Sequence, residues 1–550
     1  MKPKGMRGFL LLTFLMLWTA CVALPVTPGV VTPTFAPPVT LTLADATLPA
    51  PNTLPAPETT PQPATDFYDP GNPRLREIWV DPLNGDDANT GAAPQTALRS
   101  LAAAWRSIPM NVPLTEGVRI QLQPGRYAAD VLPNYWEARY GTWSAPIWIR
   151  GNGNARGEVI LEGGLNIFDT SYIYFENLTV NFAGDVFHCE QCRYVWLRNV
   201  AFHGGDATQE TVKVNQSQHI YIENSDLSDA YDNVIDFVAV QYGHIVGNEI
   251  HGGGDWCAYV KGGSAYIRVE ANRIYDCGTG GFTAGQGTGF QFMVPPWIHY
   301  EAYDIQVVNN LIHDTEGAGL GVNGGYNILL AYNTLVRVGR RSHVLEVVFG
   351  GRSCDGQPGD AGRERCQQYL DLGGWGTTAV DDGSNAVHIP NKNVYIYNNL
   401  VYNPPGYQSA WQHFAIYDSR TNPALRSLPV ARVDENLQIR GNLIWNGEAS
   451  MPLGIEGNQD ACVAGNPTCN PEQLRAENAI NTVRPLFLDE AGGDFHPAGA
   501  WAQSVLLFPI PDFVWDLNAP PGSTRADVFF DKDKQPRAGR DAPGAYAFGP

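Results

Sequence analysis

One short phrase recurs along the chain and limits what it can fold into. Tyr172-Ile-Tyr-Phe-Glu-Asn177-Leu-Thr-Val returns as Tyr194-Val-Trp-Leu-Arg-Asn199-Val, as His219-Ile-Tyr-Ile-Glu-Asn224-Ser-Asp-Leu and as Tyr303-Asp-Ile-Gln-Val-Val-Asn-Asn310-Leu-Ile. The asparagines Asn177, Asn199, Asn224, Asn248, Asn272, Asn310 and Asn333 step by 22, 25, 24, 24, 38 and 23 residues. Within each phrase apolar and polar residues alternate, the period of a half-buried strand. A unit this short cannot bury its apolar face alone. Stacking units into a parallel solenoid buries it, because each strand pairs with its equivalent one turn on. The asparagine suits a turn between strands: its amide bonds the backbone, accepts a left-handed conformation and stacks on the next asparagine.

The N-terminus reads as a targeting segment, residues 1–21. Lys2, Lys4 and Arg7 precede an apolar run from Phe9 to Trp18, and Trp18-Thr-Ala-Cys21 follows. The run is too short to span a bilayer as a helix. It resembles a bacterial lipoprotein signal, which implies lipidation at Cys21 as the one route to a membrane; ordinary secretion is the other reading. Either way the expected location is outside the cytoplasm, extracellular or at the cell surface. Residues 22–66 are rich in Pro, Thr and Ala and read as an extended spacer. Eight cysteines remain once Cys21 is set aside from the nine present, an even number for an exported chain. Cys257 with Cys277 could join adjacent rungs, while Cys354 with Cys366 and Cys462 with Cys469 would each close a short loop. Cys189 with Cys192 reads as a local disulfide, with a redox or half-metal motif as the alternative. A net charge of −20 argues against a nucleic-acid partner. The expected partner is a polysaccharide, and the expected state is a monomer.

The folded part opens near Arg76 with Ile78-Trp-Val-Asp-Pro-Leu-Asn-Gly-Asp-Asp, then Thr96-Ala-Leu-Arg-Ser-Leu-Ala-Ala-Ala-Trp and Val118-Arg-Ile-Gln-Leu-Gln-Pro-Gly-Arg-Tyr. This reads as strand, loop, short amphipathic helix and strand, the helix closing one end of the solenoid. Asp81, Asp86 and Asp87 in that loop suit either turn chemistry or calcium. The phrasing resembles the N-terminal caps of right-handed parallel β-helix proteins of the pectate lyase superfamily, and Asp494-Phe-His-Pro with Phe530-Asp-Lys-Asp-Lys-Gln-Pro-Arg resembles their closing segment. The resemblance implies an all-β, right-handed parallel β-helix with a short N-terminal capping helix. On that expectation residues 67–140 form the N-terminal cap, 141–450 the β-helix with a long insertion near 345–392, and 451–550 the last coils and closing segment.

A second strand precedes each phrase and carries charge: Glu210-Thr-Val-Lys213-Val, Asp232-Asn-Val-Ile-Asp236-Phe-Val and Cys257-Ala-Tyr-Val-Lys261. Spacing predicts that Lys213, Asp236 and Lys261 stack on successive rungs with their valines inward. They form either a solvated charge ladder or one wall of a site. The sharper reading rests on the Gly-rich run Gly278-Thr-Gly-Gly-Phe-Thr-Ala-Gly-Gln-Gly after Lys261, where backbone could approach a ligand closely. Trp256, Tyr259, Trp297 and Tyr300 are candidate sugar-stacking rings or plain filler, and Lys213 and Glu346 are candidate ligand contacts. Lys261 and the run after it are similar to the region around the catalytic lysine of chondroitinase B and alginate lyases. The likeness implies β-elimination on a uronic-acid-containing glycan, with Lys261 as base. That family places an arginine on the following rung, where this chain has Gly285 and Gln286, so Arg340 or Arg341 is the expected substitute. Glu301 and His343 complete the expected catalytic set. Asp232 and Asp236 resemble an acidic cluster that holds calcium in another pectate lyase family, which makes calcium the expected cofactor. The other reading is a non-catalytic glycan-binding or structural cell-surface protein.

Overall fold

The computed structural model describes residues 67–205, 209–353, 387–420, 430–455, 460–517, 519, 527–538 and 541–548. The targeting segment, the spacer and the Cys354–Cys366 loop lie outside the described residues. Three long parallel sheets run side by side, of 12, 10 and 12 strands. The recurring phrases are consecutive strands of the first sheet, among them Ser171–Glu176, Arg193–Arg198 and Gln218–Glu223. Their apolar positions coincide rung by rung, Ile173 on Val195 and Val195 on Ile220. All three side chains are fully buried. The solenoid therefore has one continuous apolar core, and each rung is stabilised through its two neighbours.

The two roles given to the asparagine meet in the first phrases, where Asn199 Nδ2 donates to Asn177 Oδ1 at 2.9 Å, and fall on adjacent positions further on. Asn177, Asn199 and Asn224 hold the left-handed turn, with φ of 56°, 52° and 47°. The internal ladder starts one residue later in the next rung. Asn248 donates through Nδ2 to Asn272 Oδ1 at 3.0 Å, Asn272 to Asn310 at 2.9 Å and Asn310 to Asn333 at 2.9 Å. It continues through Asn399 and Asn442 to Asn478. The left-handed position on the rung of Asn248 is Gly247, φ 69°. The step from Asn224 to Asn248 is thus one residue longer than a rung.

The capping helix is Leu101–Arg106, with Ser100 as N-cap accepting from Ala103 N–H at 3.0 Å. Leu101, Ala104 and Trp105 face the core. The loop aspartates serve as turn acceptors. Asp87 accepts from the backbone N–H of Arg99 and Ser100, and Asp81 from those of Leu83 and Asn84. Three disulfides are present among the described residues, Cys189–Cys192, Cys257–Cys277 and Cys462–Cys469. Such bonds persist in oxidising compartments.

The closing segment is locked by buried polar contacts. Arg537 donates to Asn309 Oδ1 at 2.7 Å and to the Gly544 carbonyl at 2.9 Å, with its guanidinium 4.0 Å from the centre of the Tyr332 ring. His496 lies between Asp494 at 2.5 Å and Asp533 at 2.7 Å, which ties the closing segment to the preceding hairpin. Burial disfavours the imidazolium, but the two carboxylates outweigh it and raise the His496 pKa, while Asp494 is held low by bonds from His496. The raised imidazole pKa stabilises the docked segment fully below about 6.5, the free value, and the benefit disappears as pH rises through the folded value. The lowered carboxyl pKa adds stability above about 3.9, lost as pH falls. Proteolysis of residues 527–548 is therefore expected to be slowest between those limits and faster above them. His496→Gln should flatten the upper limb.

Candidate functional site

The second sheet turns its polar side outward, and the site is built there. Val212, Val214, Ile235, Phe237, Ala258 and Val260 point inward and are buried. The residues between them therefore face out. Strand pairing sets one outward column as Lys213, Asp236, Tyr259, Thr283, Gly321 and Glu346. Lys261 pairs instead with Val238, one pleat along the strand. Lys213 and Asp236 thus stack as expected, but Tyr259 holds the third place. All four side chains still line one groove of about 380 Å³, with Glu210, Asp232, Asn233, Asp255 and Gln286.

The two lysines have different surroundings. Lys213 Nζ lies 3.1 Å from Glu210 and 3.8 Å from Asp236. Burial pulls its pKa down, but the two carboxylates prevail and raise it, so Lys213 stays charged. Lys261 Nζ donates to two neutral acceptors, the Tyr259 hydroxyl at 3.0 Å and Gln286 Oε1 at 3.0 Å. It also lies 4.3 Å from the centre of the Tyr259 ring. Tyr259 accepts a further bond from Asn233 at 3.1 Å. Burial, reinforced by Asp236 and Glu210, pushes its phenol far above the ordinary value, so it remains a proton donor. Burial likewise raises Glu210 and Asp232, the latter helped by Asp255.

The donor set does not fit calcium. A cation shared by Asp236 and Glu210 would have to displace the Lys213 ammonium that already bridges them. Among the described residues, no group of three or more His, Cys, Asp or Glu side chains is placed to hold a metal ion. Asp236 is therefore read as a partner of Lys213, with Asp232 lining the same groove.

Several expected site residues lie elsewhere. Trp256 is buried, and its indole occupies the space left by the glycines: a Cβ on Gly280 would come within 2.3 Å of that ring and one on Gly321 within 2.9 Å. Gly280 thus makes room for Trp256, whereas Gly287 and Gly289, at the end of the run, line the Lys261 groove as expected. Trp297 meets Tyr266 edge-on at 6.1 Å, and Tyr300 packs on Tyr303 and Tyr326 against the first sheet. Neither faces the groove. Arg340 stands beside Tyr407 at 5.9 Å, and the Arg341 backbone lies three rungs beyond Asp255 with its Nη2 reaching back to the rung of Gly317. Neither is among the residues that line the Lys261 groove. His343 bonds Ser342 and Glu346, the latter at 3.1 Å, so this pair sits three rungs from Tyr259 on the same face.

Glu301 is fully buried and acts as a brace. Its Oε2 accepts from Gly262 N–H at 3.0 Å and from Thr288 Oγ1 at 2.7 Å, and Oε1 pairs with Arg352 Nη1 at 2.5 Å. Arg352 in turn donates to the carbonyls of Thr288 at 3.0 Å and His299 at 2.8 Å. The residue after Lys261 and the loop that carries Gln286 are thereby fixed to one buried ion pair. Arg352→Met would leave a carboxylate buried without a counter-charge, and is expected to cost about 3–5 kcal/mol of stability, read from the denaturant midpoint.

Sequence reading missed Gln286, Asn233, Asp255 and Phe292, which is 47% exposed at the groove mouth. The 38-residue step from Asn272 to Asn310 was the available signal, since its excursion carries Gln286 and Phe292.

A family model described as a right handed beta helix region matches residues 149–292 and 186–351. With the three parallel sheets, this gives the chain an all-β, right-handed parallel β-helix fold. No curated protein matches the chain. Similar solved structures include a rhamnogalacturonan lyase, at 14% identity over 66% of this chain and 87% of that one, TM-score 0.41. Pectate lyase Pel9A is 13% identical over 87% of this chain and 98% of that one, TM-score 0.39. The mannuronan C-5 epimerase AlgE4 A-module of Azotobacter vinelandii is 12% identical over 64% and 90%, TM-score 0.35. None of these likenesses bears on what this chain acts on.

Proposed function

We propose that this is an exported, carbohydrate-active protein whose second-sheet groove cleaves a uronic-acid-containing polysaccharide by β-elimination. The observation that carries the reading is the contrast between the lysines: carboxylates hold Lys213 charged, whereas Lys261 is bonded only to neutral groups beside a protonated phenol. In such a step Lys261, in its neutral form, takes the proton at C5, next to the sugar carboxylate. The C5–H electrons form the C4=C5 bond, the C4–O bond breaks, and the leaving oxygen takes a proton from Tyr259. Gln286 accepts from Lys261 through Oε1, which leaves its NH₂ to donate to the substrate carboxylate. The charged Lys213 adds positive potential along the same wall.

One observation favours a second reading. Glu210, Asp232, Asp236 and Asp255 outnumber the two lysines in the groove. Carboxylates that differ in environment can serve as acid and base in glycoside hydrolysis, which suits a neutral glycan. Incubation with a panel of uronic-acid and neutral polymers separates the two. New absorbance from an unsaturated sugar supports elimination. Reducing ends without that absorbance support hydrolysis, and no product from any polymer leaves the non-catalytic glycan-binding reading.

A further inference from the structure

The groove does not stop at the second sheet. Asp232 lines both the Lys261 groove and a neighbouring hollow of about 570 Å³ over Gly252, Gly253 and Gly254. Asp276 lines that hollow and also a third, larger cleft of about 780 Å³ on the outer face of the third sheet. The three spaces therefore follow one another around the corner between the sheets. Glycine paves part of the corner, where a Cβ on Gly254 would come within 2.0 Å of the Tyr231 carbonyl and one on Gly278 within 2.1 Å of the Gly254 carbonyl, and the exposed Tyr231 ring lines the same hollow.

The third-sheet cleft has the chemistry of a built site. Tyr275 and His313 stack at 4.9 Å and 2° in the same row as His251. Arg273 Nε donates to His313 Nε2 at 3.0 Å, and His313 Nδ1 lies 2.7 Å from Asp314 Oδ2. Arg337 holds the same Asp314 through two bonds of 2.5 Å. Tyr407 closes the opposite wall, 41% exposed, with Glu490 beside it. Fixed planar donors and acceptors, exposed phenols and nearly balanced charge suit a hydroxyl-rich ligand better than a phosphate or an apolar one. The volume lies within the range of small-ligand clefts, about 300–1,000 Å³.

We infer that the third-sheet cleft is a second glycan-binding site, which holds a distal stretch of the same polymer chain that enters the Lys261 groove. This rests on the groove being a glycan site, and the cleft is tested by binding so that the two can fail separately. Electrophoretic retardation of the full chain is measured in gels containing polygalacturonate, alginate or xylan, for wild type, Tyr407→Ala and the cleft-filling Ala491→Trp. Both substitutions are at exposed positions, and thermal unfolding of each checks the fold. Retention by the preferred polymer should weaken roughly tenfold in both variants. If the protein cleaves that polymer, the polymer-to-trisaccharide KM ratio should rise with it. Unchanged retention in both variants overturns the inference, as does a wild type that no polymer retains. Absence of cleavage with variant-sensitive retention overturns the lyase reading and keeps the cleft.

Discussion

Lys261→Ala is expected to lower kcat on the cleaved polymer by about 10²–10⁴-fold, the usual weight of a positioned general base. KM and the unfolding midpoint should change little. The side chain is only partly buried and makes no ion pair with a carboxylate among the described residues, so its removal strands no charge. Lys213→Ala should behave differently. It removes the ammonium between Glu210 and Asp236, which leaves two carboxylates facing each other on neighbouring rungs. Both stability and substrate binding should suffer, and the loss should be relieved below neutral pH as a carboxylate takes up a proton. Its Glu210 partner already has a raised pKa from burial, which makes it the first to do so. Stopped assays on purified variants, with midpoints measured alongside, separate the two lysines.

The second large effect concerns the fold. Asn310→Leu is expected to cost about 3–5 kcal/mol, because its amide serves several buried partners at about 1–3 kcal/mol for each group left unsatisfied. It accepts from Asn272 N–H at 3.0 Å and Asn272 Nδ2 at 2.9 Å, and donates to the carbonyls of Val269 and Val308, each at 3.0 Å, and to Asn333 at 2.9 Å. In a solenoid the damage should be local, with hydrogen-exchange protection lost first on the rungs of Asn272 and Asn333. Asn199→Gly should cost far less, about 0.5–1.5 kcal/mol, because its amide makes a single exposed side-chain bond, to Asn177 Oδ1 at 2.9 Å. That residue supplies a left-handed turn at φ 52°, which glycine adopts freely. Equal costs at the two positions would contradict the division of roles between them.

Alternation of apolar and polar residues was enough to read the solenoid and the outward face of the charged strands, because a strand buried on one side allows no other period. Register was harder. Counting along the chain put Lys261 above Asp236, whereas backbone pairing puts Tyr259 there; corner length absorbs the two extra residues, and a sequence does not show where a corner ends. Glu301 was expected in the catalytic set, but its partner Arg352 lies 51 positions on, beyond any local pattern. Trp297 and Tyr300 misled for a related reason. They belong to the excursion between Asn272 and Asn310, whose path over the first sheet is set by tertiary packing. The glycines after Lys261 signalled two things at once: Gly280 yields to Trp256, while Gly287 and Gly289 line the groove.

A crystal structure of Lys261→Ala soaked with an uncleaved oligouronide tests the assignment of the base most directly. A sugar ring beside Tyr259 and Gln286, with its C5 hydrogen aimed at the space the Lys261 amine had filled, is the expected result. A sugar bound in the groove with C5 turned away, or found only on another face of the helix, would contradict it.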